Sequence, residues 1–292
     1  MDFRAILAGL AFVIIWSSAF TSARIIVTNT PPLTVSAIRF LIAGLIAVAL
    51  ARALGQSWSN LTRAHWKLIV VFGICQNALY LGLNFVAMQT IEASLAAIIA
   101  SSLPLLVALA GWLITGETVK PLGIAGLIAG IAGVLLIMGA RITQGVDLYG
   151  MTLCALGALA LSFATLAVRG AVSGGNMIMV VGLQMLVGSA ALWGPALVFE
   201  TWEFNWTPTV IAAFVYTIVM SGLVATSIWF WLVNRIGAVR AATFHFLNPF
   251  FGVLIASVLL GEAVRPLDIL GVIIIMFGIL AVQISKAAPQ TS

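Results

Sequence analysis

Charge is what this sequence has least of. Only 7% of its 292 residues are Asp, Glu, Lys or Arg, while 63% are hydrophobic and the mean hydropathy is +1.21. Soluble domains carry roughly a quarter charged residues, so this composition cannot make a water-facing surface and specifies an integral membrane protein. The eight acids (Asp2, Glu92, Glu117, Asp147, Glu200, Glu203, Glu262 and Asp268) all fall near the ends of apolar runs or between them. No mid-membrane carboxylate pair is therefore expected for acid–base work. Cysteine is nearly absent too: Cys75 and Cys154 both lie inside apolar runs and read as buried thiols rather than a disulfide. There is no Gly-x-x-x-x-Gly-Lys-Ser/Thr loop, no His-Glu-x-x-His and no Cys/His cluster at metal spacing. The expectation is no ATP hydrolysis, no enzyme activity, no metal and no cofactor. The net charge of +5 is spread over many short connections, which leaves no nucleic-acid footprint.

What the sequence does have is long hydrophobic runs. Taking about 20 apolar residues per membrane crossing, ten spans are expected near 5–27, 33–53, 67–88, 92–115, 120–140, 148–170, 177–199, 208–233, 238–260 and 266–285. The first run, Ala5 to Val27, is too long for a cleaved leader and recurs at 148–170, so it reads as a span. Breaks such as Asn29-Thr30-Pro31-Pro32, Gly116-Glu117 and Gly261-Glu262 carry turn residues. The chain also repeats itself. Residues 101–122 return at 246–267, an offset of 145 that places Pro104 on Pro249, Gly116-Glu117 on Gly261-Glu262 and Pro121-Leu122 on Pro266-Leu267. Five spans per copy is an odd number, so the second copy enters the bilayer from the opposite side. The expected fold is an all-α integral membrane protein with ten transmembrane helices as two inverted five-helix repeats, residues 1–144 and 145–292. With cytoplasmic termini, nine Lys and Arg lie inside and four (Arg24, Arg39, Arg141 and Arg265) outside, which sets both ends in the cytoplasm.

Polar side chains within spans face protein, water or a solute path. On the α-helical period Asn77, Tyr80 and Asn84 share one face of the third span. Such a stripe is either interhelical glue or a cavity wall, and Tyr80 favours the wall. The first span offers Trp16 and Ser17, with Thr21 and Arg24 on the face of Ser17; the repeat offset adds Ser162. Small hydroxyl residues there are packing contacts or ligands. Pro104 and Pro249 lie near the middles of the fourth and ninth spans and should loosen the carbonyls of Ala100 and His245, as hinges or as static kinks. His245 is either a neutral hydrogen-bonded residue or a solute- or proton-binding group, on a face shared with Asn248. Trp229 matches Asn84 at the repeat offset and joins the cavity candidates. Glu117 and Glu262 sit just before Pro121 and Pro266, where a carboxylate suits the start of the following helix.

These residues resemble a known family. Trp16-Ser17-Ser18-Ala19-Phe20, Arg39-Phe40, Ala93 to Pro104, Gly116-Glu117 with Pro121, Asn248-Pro249, and Gly261-Glu262 with Pro266 are similar to the EamA-type repeat proteins of the drug/metabolite transporter superfamily, over essentially the whole chain. Within it the chain looks most like the YddG-type amino acid exporters of the bacterial inner membrane. The resemblance implies alternating access and a small-molecule substrate: amino acids including aromatic ones, or lipophilic cations in the drug-efflux alternative. Trp16, Tyr80 and Trp229 would meet the solute's side chain, and Ser17, Asn77, Asn84, Ser162, His245 and Asn248 its polar groups. The faces identified here carry no mid-span Lys or Arg, which argues against phosphate substrates. One chain supplies both halves, so a monomer suffices for function.

Overall fold

The computed structural model describes residues 3–116, 119–167 and 176–287. Among them are ten helices long and apolar enough to cross a membrane: α1 Phe3–Val27, α2 Pro32–Ala53, α3 Arg63–Ala87, α4 Ala93–Ile114, α5 Pro121–Thr143, α6 Leu148–Ala167, α7 Met177–Phe199, α8 Pro208–Ile236, α9 Arg240–Leu260 and α10 Pro266–Lys286. The described residues are therefore all-helical and multi-pass, with ten transmembrane helices arranged as two inverted five-helix repeats. Glu117, which the repeat offset places on Glu262, and Arg169, which it places on Arg24, lie outside the described residues.

The contacts divide the chain differently from the repeats. One compact unit comprises Met1–Thr21, Thr90–Met151 and Val224–Ser292; the other comprises Ser22–Gln89 and Thr152–Leu223. In the first unit α5 packs along α10 and α4 along α9; in the second α2 packs along α7. Each of these pairs joins a helix to its own repeat equivalent.

Lipid tails supply no hydrophobic drive for two helices to meet, so tight pairs need small residues that let backbones approach. At α5–α10 these are Gly126, Gly130 and Gly133 against Gly271 and Gly278. A Cβ built on Gly278 would stand 2.6 Å from Gly130 Cα and 2.7 Å from the Gly126 carbonyl oxygen. At α2–α7 the same role falls to Gly44 and Gly182, each about 3 Å from the other's carbonyl oxygen once given a Cβ. Backbone atoms cannot swing aside as a side chain can. Gly278→Leu is expected to force α10 from α5 and destabilise this unit by about 3 kcal/mol, the upper end of overpacking costs, whereas Gly139→Leu, where a Cβ meets nothing within 4 Å, is near neutral. Thermal unfolding of the two purified variants checks this; equal midpoints would show that the glycine contact carries no weight.

The interhelical corners explain part of the repeated motif. Gly116 and Gly261 end their helices in the left-handed region, with φ of 68° and 70°, where a side chain is strained. The carboxylate that follows acts elsewhere than expected. Glu262 does not serve α10, the helix after it; it accepts from the Ala93 and Ser94 amides at 2.7 and 2.9 Å, at the start of α4. Glu200 does the same for α2, accepting from Leu33 and Thr34 amides at 2.6 and 2.7 Å and from the Thr34 hydroxyl. Both satisfy amides that a helix start leaves orphaned, at its positive end. The Pro-Leu after the corner starts the next helix by itself, proline being free of an amide to satisfy.

Two further acids do more than mark span ends. Arg141 is 1% exposed and donates to Asp268 Oδ1 and Oδ2 at 3.3 and 2.8 Å, and to Glu92. Arg265 Nη2 stands 3.9 Å from Glu92 Oε1. This network ties the start of α4, the end of α5 and the start of α10 within one unit.

Candidate functional site

In the first unit, α1, the second half of α8, and α9 bring four rings together. Phe12 lies 5.6 Å from Trp16, 5.2 Å from Trp229 and 5.4 Å edge-on from His245, and Trp229 lies 5.2 Å from His245. These separations are those of attractive aromatic pairs. Beneath the rings are small and aliphatic side chains: Ala5, Val13, Ala225, Leu232 and Ala241. Phe12 was not among the expected site residues, although its position one turn before Trp16 puts the two on one face of α1.

The break in α9 orients His245. Regular helix gives way to a tighter 3-10 turn over Phe244–Leu247 and resumes as Asn248–Leu260, with Pro249 in the first turn of the new segment. The same happens in α4, where Ala93–Ser101 ends, Ser102 intervenes, and Leu103–Thr115 begins with Pro104 in its first turn. Each proline thus opens a helical segment, where its missing amide is harmless, instead of disrupting a continuous one. The His245 carbonyl is not left open by Pro249; it accepts from the Asn248 amide. The Asn248 side chain lies 2.8 Å from His245 Nδ1 through Nδ2, and its Oδ1 is buried with no partner among the described residues. Ser17 Oγ donates to the Asn248 carbonyl at 3.3 Å.

Trp16, Ser17, Phe20, Ala97, Ala100, Ser101 and Asn248 line a cavity of about 10 Å³. That is room for a single water, far below the roughly 300 Å³ at which small-molecule pockets begin. The cavity mixes polar and apolar lining residues, and its Ser101 hydroxyl bonds back to the Ala97 carbonyl at 2.6 Å.

The remaining candidates belong to the second unit, and the side-chain polar groups of Asn77, Asn84 and Ser162 are engaged by protein. Asn77 is 1% exposed and donates to the Gln184 carbonyl on α7 at 3.0 Å. Asn84 donates to the Tyr80 carbonyl at 2.7 Å and accepts from Cys154 Sγ on α6 at 3.2 Å. Ser162 donates to the Ala158 carbonyl at 2.8 Å, one turn back in its own helix. Tyr80 is buried, its backbone against Gly157 of α6.

The expected single face for Asn77, Tyr80 and Asn84 is not found. Asn77 turns to α7, while Asn84 turns to α6. The reason is that Gly73–Leu81 is π-helical, and its wider turn delays every later side chain relative to an α-helix. An equivalent π-helical stretch, Thr217–Val224, interrupts α8. Arg39 also departs from expectation. Counted among the cations near span ends, it lies a third of the way along α2, 6% exposed, its guanidinium carbon 4.3 Å from the Phe40 ring centroid and 4.7 Å from that of Phe85.

Comparison with known proteins places the chain. A protein of known crystal structure, 21% identical, matches 98% of this chain and 99% of its own length with a TM-score of 0.67, and so shares the fold. The uncharacterized transporter YvbV of Bacillus subtilis is 26% identical over 97% of this chain and 93% of its own length. The uncharacterized inner membrane transporter YedA of Escherichia coli is 24% identical over 98% and 94%. A WAT1-related chloroplastic protein of Arabidopsis thaliana is 24% identical over 92% and 66%. The model of the EamA-like transporter family matches twice, over residues 3–139 and 148–284, and the chain belongs to that family of membrane transporters.

Proposed function

We propose that this transporter exports small amphipathic solutes of no net charge, foremost amino acids including aromatic ones, across a bacterial inner membrane. Both termini are cytoplasmic in this reading and the monomer is the working unit. The observation that carries it is the ring cluster of Phe12, Trp16, Trp229 and His245 beside the unpartnered Asn248 Oδ1. A solute side chain spreads on the rings, and its ammonium donates to Asn248 Oδ1 and to the lone pairs of Ser17. Apolar walls with a few placed polar groups are the usual make-up of a small-molecule site. Loading requires the water-sized cavity to widen, and the interrupted helices at Pro104 and Pro249 are where α4 and α9 bend during alternating access of the repeats 1–144 and 145–292. Asn77, Asn84 and Ser162 meet solute only as their present hydrogen bonds open, and Tyr80 only as it is uncovered. A second reading, export of lipophilic cations, draws on the same rings, whose faces attract a positive charge.

Uptake into proteoliposomes decides between them. Radiolabelled phenylalanine, threonine and a lipophilic cation are supplied with and without an imposed proton gradient. The expected result is amino acid flux that ignores the gradient. Cation flux that needs the gradient, with no amino acid flux, overturns the proposal.

A further inference from the structure

We infer that Arg39 is an oxyanion site within the second unit, built to receive the carboxylate of a solute. Pro32 starts α2, and seven residues further on, at about 1.5 Å each, Arg39 sits roughly 10 Å into the helix. With α2 taken to enter the apolar core at its first turn, that depth falls inside a hydrocarbon zone about 30 Å thick. A cation there faces protein or a solute path and is a functional group by default.

The way it is held is specific. Phe40 and Phe85 take up the guanidinium through their rings, which fixes the group without using its edge donors. Nε and Nη2 are both buried, and neither has a hydrogen-bond partner among the described residues. Those two nitrogens share one edge of the guanidinium, with parallel N–H bonds spaced to meet the two oxygens of one carboxylate. Ser36, three residues earlier and so on the same face of α2, has a buried hydroxyl that is likewise unpartnered. The carboxylate that this helix already holds, Glu200, is committed to the Leu33 and Thr34 amides.

An unpaired cation and three orphaned polar atoms are costly in an apolar interior, and removing one partner of a buried ion pair is strongly destabilising. A site that keeps an arginine fork and a hydroxyl without a partner is a site awaiting one. Arginine offers donors and no acceptor, so the ligand brings acceptor oxygens; the fork fits the paired oxygens of a carboxylate or a phosphate, and of the two a carboxylate is what an amino acid carries. This deepens the proposed export of amino acids and rests on that reading only for which carboxylate is carried.

The test uses the full chain in phosphatidylcholine nanodiscs, titrated calorimetrically with phenylalanine, with 3-phenylpropionate, which lacks the amine, and with phenethylamine, which lacks the carboxylate. Wild type is expected to bind both carboxylates at least tenfold more tightly than phenethylamine. Arg39→Gln should lose at least tenfold for the two carboxylates and leave phenethylamine unchanged, with Arg39→Lys recovering only part of the loss. Equal carboxylate binding in folded Arg39→Gln protein overturns the inference. If that variant does not fold, wild-type preference for phenethylamine over 3-phenylpropionate overturns it alone. Phosphatidylglycerol displacing 3-phenylpropionate assigns the fork to a lipid phosphate and overturns the solute assignment. The two proposals fail separately. Arg39-dependent 3-phenylpropionate binding without amino acid flux retains the oxyanion site and removes the amino acid reading. Amino acid flux with carboxylate binding indifferent to Arg39 does the reverse.

Discussion

Arg141→Ala should yield a protein that unfolds far below wild type. The guanidinium is 1% exposed and is shared between Asp268 and Glu92, so its removal leaves Asp268 buried beside a backbone amide donor alone. Losing one partner of a buried ion pair costs on the order of 3–5 kcal/mol, which lowers the midpoint by roughly 10 °C in a chain of this size. The loss comes from the stranded charge more than from the missing contact. Neutralising the stranded group in the double variant Arg141→Met/Asp268→Asn should therefore recover much of the midpoint. Thermal unfolding of the three proteins in one detergent gives the answer. A single variant melting with wild type, or a double variant worse than the single, would show that the network is not what secures α5 and α10.

Trp229→Ala should cut phenylalanine flux at least tenfold, equivalent to about 1.4 kcal/mol, while threonine flux falls much less. Trp229 closes the ring cluster from α8, touching both Phe12 and His245. It offers an aromatic solute a face to stack on, a contact of about 0.5–1.5 kcal/mol beyond the area buried. Trp229→Phe keeps a face and should retain most of the flux. His245→Asn serves as the companion variant: with no gradient dependence in wild type, it should change affinity and leave gradient independence as it was. Unchanged phenylalanine flux in a monodisperse Trp229→Ala protein would remove the ring cluster from the transport path.

The large features of the fold were legible because each rests on composition or counting. Ten spans follow from apolar length, and inversion follows from an odd number of crossings; Gly261 lies at a break marked by turn residues, and Pro266 starts the helix after it. The site was legible only in pieces. Trp16, Ser17, Trp229, His245 and Asn248 could be found because polar or aromatic residues within apolar runs are conspicuous, and the structure gathers them in one unit. Phe12 could not, because a phenylalanine in a membrane span is ordinary. The face of Asn77, Tyr80 and Asn84 misled because a period-based argument assumes an α-helix, and nothing in Gly73–Leu81 announces a wider turn. Arg39 misled for a related reason: its distance from the end of a run measured depth along the chain, not enclosure by Phe40 and Phe85.

The packing of each helix against its own repeat equivalent has a consequence for how such a chain can arise. A contact between equivalents across a two-fold relation is isologous: each half brings the same patch and meets it in its partner. Gly126 against Gly278 and Gly133 against Gly271 are the two readings of one such patch, since an offset of 145 turns Gly126 into Gly271 and Gly133 into Gly278. A single five-helix ancestor, inserted in both orientations, would already hold the complementary surfaces for α5–α10, α4–α9 and α2–α7. Fusion would then only have to join two subunits that fitted each other. In a fused chain each position would be free to change independently of its twin, as Asn84 and Trp229 differ at one offset position.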